Sequence, residues 1–338
     1  RYNLPDKSQR LWPQVPAALN WEEREFHNRL DLAQWLVDPR HPLTARVAVN
    51  RLWQQIFGRG LVETSDNFGS QGTPPSHPEL LDWLAAELIA QQWSIEHIQR
   101  MILTSATYRQ SSAASAEKLV RDPHNRWLAR GPKRRLTAFE LRDQALAVAG
   151  LLVEQVGGPS VKPYMPPKIW SSISNNKYQQ DEGDKLFRRS LYTYWRRTIP
   201  PPTMVNFNAA AREVCVVRNE ITNTPLQALT LMNNKTFVEA ARNLAQRMLQ
   251  QGGAHPAAQI EWGFRRVLTR SPTVDEHRLL VEAFADFRAE YAEHAPAARQ
   301  LLGIGQSPRD ASLPLTTHAA MTMTASLILN LDEAITTE

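Results

Sequence analysis

Six prolines in one stretch, Pro163, Pro166, Pro167, Pro200, Pro201 and Pro202, constrain this chain more than any other feature. Each proline fixes its own φ and removes a backbone donor, so no long helix can run through them. From Pro159 to Ala211 the sequence is also rich in serine and asparagine. Helical periodicity is missing there and present on both sides. The pattern predicts a mainly α, multi-helix protein with a proline-rich, irregular middle segment. An extended lead-in covers residues 1–19. A helical lobe follows over 20–158, then a basic insertion over 159–211, then a second helical lobe over 212–338, the two lobes forming one domain. Within the insertion, Leu191–Trp195 reads LYTYW, and its strand-favouring residues predict a short strand pair.

Capping signals set the expected helix ends. Asn20 is placed to cap a helix that runs to about Val37 and stops before Asp38-Pro39. Leu43 to Phe57 is closed by Gly58, and Ser76 with Glu79 forms a capping box for a helix to about Ala90. Ser94 opens another helix, to about Thr104. Thr137 with Glu140 opens one expected to reach Val156, before Gly157-Gly158. After Thr224 the pattern gives helices at about 225–232, 235–250, 256–269, 274–294 and 315–330, with Pro225 at a first helical position and Thr273/Glu276 as a further box.

Several function classes find no support. No apolar run approaches the ~20 residues of a membrane-spanning helix. There is no Walker loop, GxSxG elbow, HExxH or GxGxxG. The nine histidines are scattered, so no metal site is expected. The single cysteine, Cys215, rules out an internal disulfide, a cysteine zinc site and a CxxCH haem attachment. Arg212 and Arg218 flank it and would favour a reactive thiolate. The string Val214-Cys215-Val216-Val217 instead predicts a buried, inert side chain. The chain opens on Arg1 and is expected to be part of a longer polypeptide.

Charge is distributed unevenly. Residues 100–213 hold 19 Lys+Arg and 9 Asp+Glu, a balance of +10, and the remainder holds 20 and 25, a balance of −5. Arginine outnumbers lysine 31 to 8, which suits bidentate contact with carboxylate, sulfate or phosphate. It equally suits internal ion pairs and helix ends. Tyr192, Tyr194 and Trp195 beside Arg188, Arg189, Arg196 and Arg197 would suit nucleic-acid stacking. No nucleic-acid signature accompanies them, so that partner is not expected.

Two dense polar patches are the candidate sites. In the first, Arg46, Asn50 and Trp53 fall at i, i+4 and i+7 on one helix face, followed by Asp66 in a loop and His77 at a helix start. An aromatic platform, directional hydrogen bonds and a titrating group are what a sugar or anion site requires. A structural alternative pairs Arg46 with Asp66, buries Trp53 in the core and leaves His77-Pro78 as a helix start. Tyr108 and Arg109 follow in a polar run. The second patch holds Arg212, Glu213, Arg218 and Asn223 and would form the other wall. Read as an enzyme, the site would be formed by Arg46, Asn50, Asp66 and His77, joined by Tyr108-Arg109 or Arg212-Glu213, with carboxylate and histidine doing acid–base work and arginine holding an anionic group.

The strings HPLTARVAVNRLWQQIFGRGLV, PSHPELLDWLA, TSATYRQSS, RRSLYTYWRRT, REVCVVR, TNTPLQALTLMN and LILNLDEAIT resemble a planctomycete-type C-terminal domain of unknown function, family fifteen-fifty-three. The resemblance covers about Trp12 to Thr337 in order. It implies a mainly helical module of an exported bacterial protein, periplasmic or at the cell surface. It also implies an upstream cytochrome c-type domain as partner, with the haem there and no cofactor in this chain. It supplies no catalytic residues. The expected function is a ligand- or partner-binding module, with anionic polysaccharide as the ligand. The alternatives are a hydrolase or oxidoreductase acting on polysaccharide, and a scaffold that docks the cytochrome domain, which a large exposed apolar patch would mark.

Overall fold

Eight of the sixteen α-helices among the described residues begin where one side chain captures a free N–H group of the first turn, as expected from helix-end chemistry. The computed structural model describes residues 13–19, 21, 25–173, 177–217 and 221–337. The proposed cap Asn20 and the candidate residue Arg218 lie outside them. The protein is mainly α, with sixteen α-helices among the described residues. It divides into two compact units, at Arg134 and Arg135.

The first unit holds α1 (Arg29–Leu36), α2 (Thr44–Phe57), α3 (Pro78–Ala90), α4 (Ile95–Thr104), α5 (Ala106–Arg109) and α6 (Ala116–Arg121). Helix α1 starts at Asn28, whose carboxamide forms a capping box with Asp31, and not at residue 20. Helix α2 ends at Gly58, in the left-handed region at φ 78° as expected. Helix α3 starts at His77 with Pro78 in its first turn and no side-chain cap. The expected Ser76 cap is absent because that hydroxyl donates to Leu61 O instead (3.3 Å). Val49, Trp53, Leu81, Leu84, Leu88, Ile98 and Ile102 form the core of α2, α3 and α4.

The second unit begins with α7 (Ala138–Ala149), opened by the Thr137/Glu140 box. The sequence placed this helix in the first lobe; it packs on α11 in the second unit. It also stops seven residues before Val156. Gly150 adopts φ 75°, and the N–H groups of Leu151 and Leu152 turn back onto Leu146 O. Among its described residues the proline-rich stretch contributes two short α-helices, α8 (Ile169–Ile173) and α9 (Pro202–Asn206), and 3-10 turns such as Gly183–Phe187. In place of the strand pair predicted at Leu191–Trp195, Ser190–Tyr192 is a 3-10 turn, with isolated bridges such as Val161 to Thr193 beside it.

Then follow α10 (Pro225–Asn233), α11 (Lys235–Gln251), α12 (Pro256–Leu268), α13 (Val274–Glu293), α14 (Ala295–Leu302), α15 (Leu315–Leu329) and α16 (Asp332–Ile335). Helices α11 and α15 are the central pair. Ala240, Ala241 and Ala245 of one meet Ala320, Met321 and Ala325 of the other, all fully or almost fully buried. Small side chains let the two backbones approach closely, and larger ones at the ends, Met248 and Ile328, complete the packing. Leu136 N–H donates to Ile335 O (2.9 Å), joining the start of this unit to its end. No helix among the described residues is long and apolar enough to cross a membrane.

Candidate functional site

In the first unit one loop is folded hard against α2, and a single residue does the folding. Asn50 is fully buried. Its Oδ1 accepts from Val62 N–H (2.8 Å) and its Nδ2 donates to Val62 O (3.0 Å). That pair of hydrogen bonds draws the chain over the helix so closely that position 60 has no room for a side chain. A Cβ on Gly60 would lie 2.6 Å from Val62 O and 2.7 Å from Asn50 Nδ2. Ser76 N–H donates to Leu61 O (2.8 Å) and fixes the far end of the loop. Beneath it, Trp53 and Phe57 stack with ring centres 4.1 Å apart.

A second loop, residues 122–130, faces this one. Asp122 accepts from the N–H groups of Arg126 and Trp127, both at 2.8 Å. Burial works against the charge of this carboxylate, but the two N–H donors outweigh it and hold its pKa below the ordinary value. The Arg130 guanidinium binds the carbonyls of Asp122 and Pro123, and Gln110 Nε2 donates to Leu128 O (2.8 Å). Asn125 and Leu128 take positive φ, 50° and 56°, so the loop is tightly coiled.

Between the loops lies a small open cleft of about 40 Å³. Trp53 and Phe57 form its base, and Arg59, Ser76, His124 and Arg126 stand on its walls. Glu63, also on the wall, is ion-paired with Arg59. Beside the mouth Trp127 is 62% exposed. The His77 ring meets it edge-on at 6.1 Å, and the Arg126 guanidinium lies 5.6 Å from its ring centre. Arg126 makes no ion pair among the described residues. The arrangement offers an aromatic surface, a mobile-length cation and two imidazoles to a ligand from solvent.

Residues 28–284 match the family described as PSD1, proteins of unknown function (DUF1553). The chain belongs to the PSD1 family. No curated protein and no solved structure matches it.

The cleft of this PSD1 member collects only part of the sequence-derived constellation. Trp53 lies at its base, Tyr108 backs Phe57 edge-on at 5.9 Å, and His77 is at the rim. Asn50 lies beneath the loop with its carboxamide engaged. Arg46 pairs with Asp82 (2.6 Å) and with Pro42 O (2.5 Å); the partner suggested from sequence, Asp66, is exposed elsewhere in its loop. Arg109 is exposed at the end of α5. Arg212, Glu213 and Asn223 belong to the second unit and are exposed. Arg212 lies over the Trp195 ring at 4.5 Å. Asn223 leaves the capping of α10 to Thr224, which forms a box with Gln227. Cys215 is exposed, not buried, as are Val214, Val216 and Val217, because their segment lies outside the core instead of running through it.

Sequence reasoning missed His124, Asn125, Arg126 and Trp127. Asp122-Pro123 followed by His124-Asn125 is a turn signal inside a stretch that otherwise looked merely irregular. It also missed a buried polar group in the second unit. Glu239 and Arg242, 0% and 3% exposed, sit on the apolar side of α11. Glu239 Oε1 accepts from the N–H groups of Gln306 and Ser307, both at 2.6 Å. Arg242 Nη2 donates to Ser307 O (2.7 Å) and lies 3.7 Å from Glu239 Oε1. His318, fully buried in α15, shares its Nε2 with Arg242 O (3.2 Å). Burial and then the Glu239 carboxylate push the Tyr164 hydroxyl well above its ordinary value. The available signal was a glutamate and an arginine at apolar positions of an amphipathic helix.

Proposed function

We propose that this domain of unknown function binds an anionic polysaccharide in the cleft of its first unit. The observation that carries this reading is Trp127: a large indole left in solvent, flanked by His77 and Arg126, at the mouth of a cleft with an aromatic base. The apolar face of a sugar ring stacks on an indole, while its hydroxyls and acid groups need directional donors. Arg126 and His124 supply donors suited to sulfate or carboxylate. Local charge supports the same ligand. Residues 109–134 carry seven Lys+Arg and two Asp+Glu, a balance of +5. An acid–base role has less support, since the wall carboxylate Glu63 is engaged by Arg59. The family resemblance supports a setting in an exported protein whose upstream cytochrome c-type domain carries haem, with this module holding the polymer near it.

The test is calorimetric titration of the chain with a sulfated, a uronic and a neutral polysaccharide. The acidic polymers are expected to bind, with affinity that falls as salt rises. Trp127→Ala is expected to weaken binding at least tenfold without changing the melting temperature. Absence of binding to all three polymers, or unchanged binding by the alanine variant, overturns the proposal.

A further inference from the structure

Helix α1 stands off the core of its unit. Trp35 is its one buried residue, and the core formed by α2, α3 and α4 includes none of its side chains. Trp35 is buried in an aromatic cage instead. It stacks on Trp21 with ring centres 5.7 Å apart, meets Phe26 edge-on at 6.1 Å and meets the His41 ring edge-on at 4.5 Å. Trp21 also meets the His41 ring, at 5.5 Å. That imidazole, buried with the cage, is at the same time the cap of α2. Its Nδ1 accepts from Leu43 N–H (3.2 Å) and Thr44 N–H (3.1 Å), with the Thr44 hydroxyl at 3.1 Å. Leu43 stands at the N-cap position and offers no side-chain acceptor, so the ring takes that part. A nitrogen that accepts from two amides carries no proton. The ring proton is therefore on Nε2, which is buried without a partner among the described residues.

This junction holds only while His41 is neutral. A second proton would sit on Nδ1 and face two N–H groups, so the contacts at the start of α2 would be lost together. It would also place positive charge at the positive end of a helix of 14 residues. Asp38 is the charged group that acts on the ring, and its carboxylate is bound by Arg40 through Nε (3.0 Å) and Nη2 (2.9 Å). Arg46 is turned to Asp82 and Pro42 O. Burial outweighs the support that the ring's own backbone carbonyl and Asp38 give to the charged form, and holds the pKa below its ordinary value. An imidazolium would be attracted to the Trp35 indole, but it can keep that contact after leaving α2. We propose that His41 is an acid-sensitive latch, whose protonation frees the ring from the start of α2 and releases α1 with its aromatic cage. The latch lies at the opposite end of α2 from Trp53 and Phe57, and the proposal stands independently of the glycan reading.

The test uses the full chain labelled with 5-fluorotryptophan. Trp21→Phe and Trp35→Phe assign the two fluorine resonances of the cage. Between pH 7 and 5 both are expected to move toward the position of a solvent-exposed indole with one shared midpoint, while Trp53 stays in place. Exchange of the Thr44 amide, corrected for the intrinsic rate, is expected to quicken by about tenfold per pH unit below about pH 6.5, the slope of one proton. His41→Asn offers the two amides an acceptor that takes up no proton, and should flatten both readings. If that variant shows both indoles already exposed at pH 7, the unaltered chain decides through the ring carbon resonances of His41, which should titrate at the midpoint of the indoles. Three results overturn the proposal: indoles that do not move by pH 5, a slope that survives in a His41→Asn variant with its cage closed, or a His41 midpoint different from theirs.

Discussion

Helix α2 of the first unit and helix α11 of the second solve the same problem with different chemistry. Each has a polar side chain on its apolar side that ties a loop down. In α2 the residue is Asn50, a neutral amide whose oxygen and nitrogen both bind Val62. In α11 it is the Glu239–Arg242 pair, which holds the stretch from Leu302 to Ser307. The amide is fully engaged. The ionic pair is not: among the described residues Arg242 Nε is buried without a hydrogen-bond partner, as are the nearby Arg309 Nε and His318 Nδ1. A neutral pin loses little when it leaves water, whereas a charged one loses much and recovers it only while both partners are present. Unit two should therefore be the more sensitive to single substitutions and to acid.

The largest effect is expected on breaking the ion pair from one side. Arg242→Met leaves the Glu239 carboxylate buried with no counter-charge and should cost about 3–5 kcal/mol. Combining it with Glu239→Leu removes both charges, and the double variant should be more stable than either single one. Urea unfolding of the three variants checks this. If the double variant loses the sum of the single losses, the two residues act separately and the comparison with Asn50 fails.

Asn50→Ala comes next. It leaves Val62 N–H without a partner and Val62 O with only the long bond from Ser65 Oγ (3.5 Å), at a site only 2% exposed, which should cost about 2 kcal/mol. Hydrogen exchange should rise in residues 60–65 and stay unchanged in the second unit. An increase in both units would mean that the amide supports more than its own loop.

How far these differences could be read in the sequence follows from the same chemistry. Helix type and most helix ends were legible because caps act locally: Ser94, Thr137, Thr224 and Thr273 each cap the helix assigned to them. The end of α7 was missed because the helix already stops at Gly150, although Gly157 and Gly158 take positive φ as well, and glycines in one stretch cannot be ranked as helix stops without their tertiary setting. Of the candidate site, Trp53 and His77 were legible as residues, but their roles were not. Burial of Trp53 and exposure of Trp127 depend on which loops cover which helix faces, and long-range bonds such as Gln110 to Leu128 decide that. Cys215 shows the reverse failure. Its apolar neighbours implied a core, yet the buried Gln227 turns the following helix with its leucines outward.

The smallest effect, no more than a single proton, sharpens the contrast in acid. His318 is fully buried, and its Nε2–H donates to Arg242 O, which leaves Nδ1 bare. Burial lowers its pKa from 6.5 and outweighs the hydrogen bond to the Arg242 carbonyl, which favours the charged form; the Arg309 and Arg242 guanidiniums lower it further, against Asp310. A histidine whose pKa is lowered in the fold is neutral there. Below about pH 6.5 the unfolded chain takes up a proton that the folded chain refuses, so stability falls with pH until the folded pKa is reached. Glu276 is held at about 2 mainly by its bonds to Arg270 and changes charge in the folded chain only at lower pH. Hydrogen exchange read unit by unit between pH 7 and 5, corrected for the intrinsic rate, should show protection falling in α11 and α15. It should fall separately at the start of α2, where burial also lowers His41 and its Nδ1 accepts from the N–H groups of Leu43 and Thr44, while α3 holds. His318→Gln keeps an N–H for Arg242 O, carries no titrating proton and should remove the slope in α11 and α15. A slope that persists there in the glutamine variant would assign the acid sensitivity to another group.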